Sequence, residues 1–390
     1  MIKIFSNELN LLSQLCLKNK NIDDNFSRNI DWRKFLSHAK KHRVETLVYE
    51  NLKKHPEIEV EEKVLSELKV LAEKKTFESL KGTAELIKVM KLFKDNDIQA
   101  ISVKGPALAD EVYDSISLRT SHDLDIFINP AQFEKTIDLL ISNGYKNLEK
   151  FDVIDADMKK MILSNNHHLA FKSNSGVLIE LHHRLHSKEV LSKDFSLDFE
   201  ELWKNRREYS LQGNAVNILG FGDNLLFLIY HGSKHAWFRL KWIIDIYYIA
   251  LKNDMTWNSI MDKFDKKGSL HILGQTVLLI NSLFDFKIPE ELKNISENSS
   301  LAKKLHDIAM ILIEESDENQ FETGKRGYFI YKKYKFLITR GFTFKIKHII
   351  HVIKPKPVDF ESVRLPKKLY FLYYIYRPFH KAIRVIRKQK

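Results

Sequence analysis

The segment from Ile98 to Pro130, IQAISVKGPALADEVYDSISLRTSHDLDIFINP, restricts the fold more than any other part of the chain. It holds two short apolar runs, Gln99 to Val103 and Asp123 to Ile128, which read as strands. Between them, Lys104-Gly105-Pro106 ends the first strand, Ala107 to Tyr113 reads as a short helix or irregular crossover, and Asp114 to His122 is a polar loop. The period of two in the second strand puts Asp123 and Asp125 on one face and Leu124, Ile126 and Ile128 on the other. Carboxylates so spaced lie roughly 6–7 Å apart. At an effective dielectric of about 20 their repulsion is roughly 2.5 kcal/mol. A divalent cation turns that cost into a binding site. Magnesium at phosphoryl-transfer centres is held in this way, by one or two carboxylates and the substrate's phosphates.

The flanks are helical. Residues 2–19 have helical leucine spacings, Asp31 is a good N-cap for Trp32 to His42, and Val44 to His55 continues as helix until Pro56. Val64 to Phe93 is one amphipathic helix, or two broken near Gly82. After Pro130 a helix runs to about Asn143, with Gly144 as its C′ residue. Residues 150–166 are ambiguous. His168 to Lys172 and Val177 to His182 form a hairpin through Ser173-Asn174-Ser175-Gly176. From Asp223 onward the pattern is helical again. The fold class is therefore α+β, a small mixed sheet between N-terminal and C-terminal helical regions. The divisions expected are 1–80, 81–200, 201–324 and a basic aromatic tail, 325–390.

Glu180 shares a strand face with His182 and is an isolated acid in an apolar strand. Acids are rarely buried without a partner. Spacing alone leaves two readings open, a third carboxylate converging on Asp123 and Asp125, or a solvent-facing edge glutamate. Three such acids suit a pair of magnesium ions about 3.5–4 Å apart. His167, His168, His182, His183 and His186 fit no closed zinc spacing, and no cysteine lies near them.

A single cysteine, Cys16, excludes a disulfide framework within the chain and makes a reducing cytoplasm the default. Polar residues interrupt the N-terminal apolar run, so it does not read as a signal peptide, and no run of 18 apolar residues predicts a spanning helix. The net charge of +12 is unevenly spread. Residues 325–390 carry 19 Lys and Arg against Asp359 and Glu361, a net of +17, which leaves residues 1–324 at −5. The tail therefore either meets a polyanion or packs on the acidic body. Its aromatics and basic residues suit the inner face of an anionic membrane, peripherally, or RNA phosphates. No recognised RNA-binding module accompanies it, so nucleic acid is the weaker expectation.

The ordered set VKGPALA, Arg119 four residues before DLDIFI, and IELHHRLH resembles a bacterial group of uncharacterised nucleotidyltransferases within the polymerase-beta-like superfamily. DWRKFLSHAKKHRV, HGSKHAWFRLKWIIDIYYIA and LPKKLYFLYYIYRPF extend the likeness over nearly the whole chain. The resemblance implies a nucleotidyltransferase-type sheet, with Asp123 and Asp125 as the metal-binding pair and Glu180 as the third acid, ligand or base for the incoming hydroxyl. It puts Lys104-Gly105 where such proteins have a glycine turn that presents backbone N–H groups to phosphate. Pro106 lacks an N–H, so Lys104 is expected to supply charge and Gly105 close approach. Arg119 and Ser121 are expected at the triphosphate, unless Arg119 pairs with an acid such as Asp114. His182 orients Glu180 or touches the acceptor. Lys241 and Asp245, four apart, read first as a surface ion pair and second as cleft residues, with Lys234 and His235 beside them.

The expected reaction is transfer of a nucleoside monophosphate from a nucleoside triphosphate to a hydroxyl or phosphate of an unidentified acceptor. It releases pyrophosphate and uses Mg2+, with Mn2+ as the alternative ion. The rivals are an inactive nucleotide-binding or scaffold protein and a kinase-like phosphotransferase.

Overall fold

The computed structural model describes residues 5–18, 22, 29–149, 163, 166–185, 197–252, 257–315, 325–339, 362–363, 369 and 371–388. Four helices open the chain: α1 (Asn7–Leu15), α2 (Trp32–His42), α3 (Glu45–Leu52) and α4 (Glu62–Asp95). Ser6 caps α1 by accepting from the Leu9 N–H, and Asp31 caps α2 by accepting from the Arg33 and Lys34 N–H groups. α4 is one unbroken helix of 34 residues. Gly82 lies within it, buried beside Leu124 of the sheet.

The sheet elements follow: β1 (Ala100–Ser102), α5 (Gly105–Tyr113), β2 (Asp123–Ile128), α6 (Phe133–Ser142), β3 (Lys146–Asn147), β4 (His168–Lys172) and β5 (Leu178–His182). α5 begins at Gly105, two residues earlier than the spacing predicts, because Gly105 takes φ +65° and turns the chain directly out of β1. Gly144, φ +83°, ends the turn after α6 as expected. α7 (Phe199–Asn205) then leads to a hairpin that periodicity left unassigned, β6 (Arg207–Leu211) and β7 (Asn214–Ile218).

The seven described strands form one mixed sheet in the order β3-β4-β5-β2-β1-β7-β6. β2 runs antiparallel to β1 and parallel to β5, and β7 joins parallel to β1. Leu124, Ile126 and Ile128 pack with Leu86, Val89 and Phe93 of α4 and with Phe133, Ile137 and Leu140 of α6. The opposite face, which carries Asp123, Asp125 and Phe127, looks towards α8 (Phe221–Lys234) and α9 (Leu240–Lys252).

Those helices, with α10 (Trp257–Lys266), α11 (Leu270–Phe284), α12 (Glu290–Ser296), α13 (Ser300–Glu314) and α14 (Arg326–Ile338), share one core with α1 to α3. Buried polar contacts tie the two ends of the chain together. Lys41 donates to the carbonyls of Leu312 (2.8 Å) and Ile313 (2.7 Å), and the Tyr248 hydroxyl donates to the Cys16 carbonyl (3.0 Å). The last helix is α15 (Leu372–Lys388). Residues 150–162, His186 and most of the tail between α14 and α15 lie outside the described residues.

Candidate active site

Strand register assembles the acidic centre. β2 and β5 pair with Asp125 opposite Glu180, and β5 pairs with β4 so that His182 faces His168. Side chains of laterally paired residues share a face. Asp125, Glu180 and His182 each offer a ligand atom here, and the three atoms lie within 4.8 Å of one another. The donors are two oxygens and one imidazole nitrogen, a set that fits a divalent ion. Asp123 is on the same strand face, two residues before Asp125, and its carboxylate lies outside that trio. The Ser121 hydroxyl donates to the Asp123 carbonyl (2.9 Å) and reaches its Oδ1 (3.4 Å).

Each oxygen of Asp125 meets a nitrogen partner. Lys104 Nζ lies 3.1 Å from Oδ2 and His182 Nε2 3.0 Å from Oδ1. Burial pushes the Asp125 carboxyl up, but the Lys104 ammonium and the His182 hydrogen bond outweigh it and hold the group well below the usual carboxylate range. Burial pushes Asp123 up too, and the neighbouring Asp125 charge adds to that. Against its own burial, Glu180 is lowered by the hydrogen bond from His182, 3.4 Å away. Burial disfavours the charge on His182, yet bonds to Asp125 and Glu180 raise its pKa overall. Asp123, Asp125, Glu180, Lys104 and His182 thus form one interacting cluster.

Arg119 does not pair with Asp114, whose partner is Lys18 at 2.8 Å. It makes a bidentate pair with Asp245, Nε to Oδ1 at 2.8 Å and Nη2 to Oδ2 at 2.9 Å, and the Tyr113 hydroxyl donates to the same Oδ1 at 2.8 Å. Asp245 is fully buried, so the surface pair expected between Lys241 and Asp245 is corrected. Lys241 turns instead to the Thr120 carbonyl, 2.7 Å away. Burial drives its pKa well below the ordinary value, and Arg119 adds repulsion. α9 is therefore fastened to the loop that delivers β2.

A cavity of about 440 Å³ lies over the cluster. Asp123, Asp125, Glu180 and His182 form its floor, and His231, Lys234, His235, Arg239, Lys241 and Trp242, from α8, the turn after it and the start of α9, form its roof. Arg43, Lys104 and Arg119 add further positive charge to its wall. A smaller cavity, about 330 Å³, opens on Asp123 from the side of α4 and is lined by Glu78, Ser79, Lys81 and Gly82. Arg119, Ser121 and Asp123 line both. Sequence reasoning missed Arg43 and His231. The one-turn spacing of His231 and His235 was the available signal, since it places both rings on one helix face.

A carboxylate cluster on a mixed sheet, faced by the side chains of Arg43, Lys104, Lys234 and Arg239, suits an enzyme that handles polyphosphates. The chain belongs to the uncharacterised nucleotidyltransferase family, whose family model matches residues 28–285. Comparison with curated proteins found no match, and neither did comparison with solved structures. The match takes in the whole acidic centre and its roof from α8 and α9. The protein is thus a nucleotidyltransferase.

Proposed function

We propose that the chain transfers a nucleoside monophosphate from a nucleoside triphosphate to a hydroxyl or phosphate oxygen of an acceptor. A bond forms between that oxygen and the α-phosphorus, the α–β phosphoanhydride bond breaks, and pyrophosphate leaves. The observation that carries this is the register of β2 on β5, which sets Asp125 beside Glu180 beneath a cationic roof. Asp123, Asp125 and Glu180 would hold Mg2+, or Mn2+ in its place. An ion bound there supplies charge neutralisation on the phosphates and a lower pKa for the attacking hydroxyl.

The remaining work belongs to the chain's own side chains. Lys104, now 3.1 Å from Asp125, is long enough to turn its ammonium to the β- or γ-phosphate. Gly105 at φ +65° lets backbone and phosphate approach closely. Ser121 steadies Asp123, and His182 orients Asp125 and Glu180 while holding a proton between them. Arg119 lines the cavity, and its pairing with Asp245 fixes the loop before β2. Lys234 attracts the polyphosphate from the roof, and Lys241 braces the Thr120 carbonyl behind it. We assign the nucleotide to the larger cavity, because its cations and the Trp242 ring suit a triphosphate and a base. The acceptor then enters from the smaller one.

The test is incubation with each labelled triphosphate, Mg2+ and fractionated extract, followed by product mass. A nucleotidyl adduct is expected, and a phosphate adduct would assign the kinase reaction instead. Asp123→Asn and Asp125→Asn are expected to abolish transfer while melting like the parent. Transfer retained in both variants would refute the carboxylate assignment.

A second observation favours a membrane partner. On α15, Phe371 just before it, Ile375 and Phe379 are 62%, 60% and 66% exposed at spacings of four, while Tyr373, Arg377 and His380 are buried. We propose that this apolar stripe, in a segment of net charge +17, rests on an anionic membrane surface.

A further inference from the structure

We propose that His167, His168 and His182 form a second metal site, built for a borderline transition ion such as Zn2+ or Co2+ and overlapping the carboxylate set at Glu180 and His182. The ligands come from the β4–β5 pairing, which sets His168 directly opposite His182, and from His167 at the entrance to β4. One nitrogen from each of the three rings falls within a 4.8 Å span. His168 Nδ1 is 3.3 Å from His167 Nε2 and 3.7 Å from Glu180 Oε2, so a carboxylate stands ready as fourth ligand. Zinc–nitrogen bonds of about 2.0–2.1 Å put ligand nitrogens roughly 3.3 Å apart in a tetrahedron, so small side-chain rotations suffice.

The site lines the 440 Å³ cavity, which gives an ion its entry path. Imidazole nitrogen selects Zn2+, Co2+ or Ni2+ over Mg2+, whereas carboxylates and phosphates favour Mg2+. The sequence spacings match no closed zinc pattern because the ligands are joined across strands.

Glu180 and His182 serve both ligand sets. An ion among the imidazoles therefore draws Glu180 away from Asp125, and this consequence, inhibition of transfer by a transition ion, rests on the reaction proposed above. The site itself does not.

The experiment uses the full chain, stripped by chelation and titrated with Co2+ in excess Mg2+. One equivalent per chain is expected to bind, with the intense visible bands of a four-coordinate ion, and Zn2+ should bleach them. His167→Gln combined with His168→Gln should weaken Co2+ binding roughly 10-fold or more, while Asp123→Asn should leave the spectrum unchanged. Only the faint bands of six-coordinate Co2+ in the parent, or unchanged affinity in the double variant, would overturn the site. The readout is the ion's own spectrum. Missing bands with Mg2+-dependent transfer intact would sink the imidazole site alone. Bands present, with no transfer by the Mg2+-loaded chain before Co2+ is added, would sink the reaction alone.

Discussion

Arg119 shows how a single residue can look like a ligand and act as a fastening. Its guanidinium satisfies both oxygens of Asp245, a partner 126 residues away. Burial disfavours its charge, but the Asp245 carboxylate outweighs that and raises its pKa. Removing one member of a buried pair strands the other charge. Arg119→Ala should therefore cost about 3–5 kcal/mol, read as a lower urea midpoint. Tyr113→Phe, which removes one hydrogen bond to the same carboxylate, should cost roughly 1.5–3 kcal/mol. Equal, small losses in both variants would mean that Asp245 is solvated. The sequence could not show this pair. Asp245 sits four residues after Lys241, and local spacing offers that lysine as its partner. By contrast, the alternation of Asp123, Asp125, Glu180 and His182 was plain, because period two is a property of the strand itself. What remained invisible was which strands adjoin.

At the scale of elements, the hairpin β6–β7 is the part of the fold that patterning missed. Its inward residues are Tyr209, Leu211, Val216 and Ile218, only two per strand, and its turn is Gln212-Gly213 in place of the more familiar Asn-Gly. Both turn residues have positive φ, +49° and +79°. A side chain at Gly213 meets open space, so Gly213→Ala should cost only the backbone strain, about 1 kcal/mol. Gly274 in α11 is the opposite case. A Cβ there would lie against the Ile295 carbonyl of α12 and press on Ala302 of α13. Gly274→Ala should destabilise by about 3 kcal/mol or more, since backbone has to move. Paired thermal melts decide the ranking, and it fails if the Gly213 variant is the weaker protein. Three helices meet at Gly274, a convergence that helical periodicity does not encode.

Across the whole molecule, the N-terminal helices close over the C-terminal bundle, and two histidines are sealed at that junction. His38 and His42 are fully buried and stacked, with ring centroids 5.8 Å apart. Burial, reinforced by Lys41, lowers His38 to about 4 and His42 well below its ordinary value. Between pH 6.5 and 4 the unfolded chain protonates both while the folded chain does not. Stability is thus complete above about 6.5 and falls as pH drops through that window, by up to roughly 1.4 kcal/mol per unit for each histidine. Calorimetry should show the melting temperature dropping by several degrees from pH 7 to pH 5. A flat profile would place water at both rings.

The basic end of the chain carries the remaining prediction. α14 is part of the core, with Tyr334 and Ile338 fully buried, so the tail cannot be cut at residue 324 without opening the fold. The membrane test therefore needs the full chain. No helix among the described residues is long and apolar enough to cross a bilayer. α15 instead turns Tyr373 inward, its hydroxyl donating to the Val363 carbonyl at 2.5 Å, and leaves Phe371, Ile375 and Phe379 outside. Each basic residue near an anionic surface contributes about 1 kcal/mol and each inserted ring or branched chain a comparable amount. Full-length protein should sediment with phosphatidylserine vesicles at low salt, and less so with neutral vesicles or at high salt. Replacing Phe371, Ile375 and Phe379 together by serine should lower vesicle affinity more than roughly 10-fold with little change in the melting temperature, because those side chains are largely exposed. Equal sedimentation of parent and triple variant would leave the charge alone as the attraction, and the apolar stripe would have no membrane role.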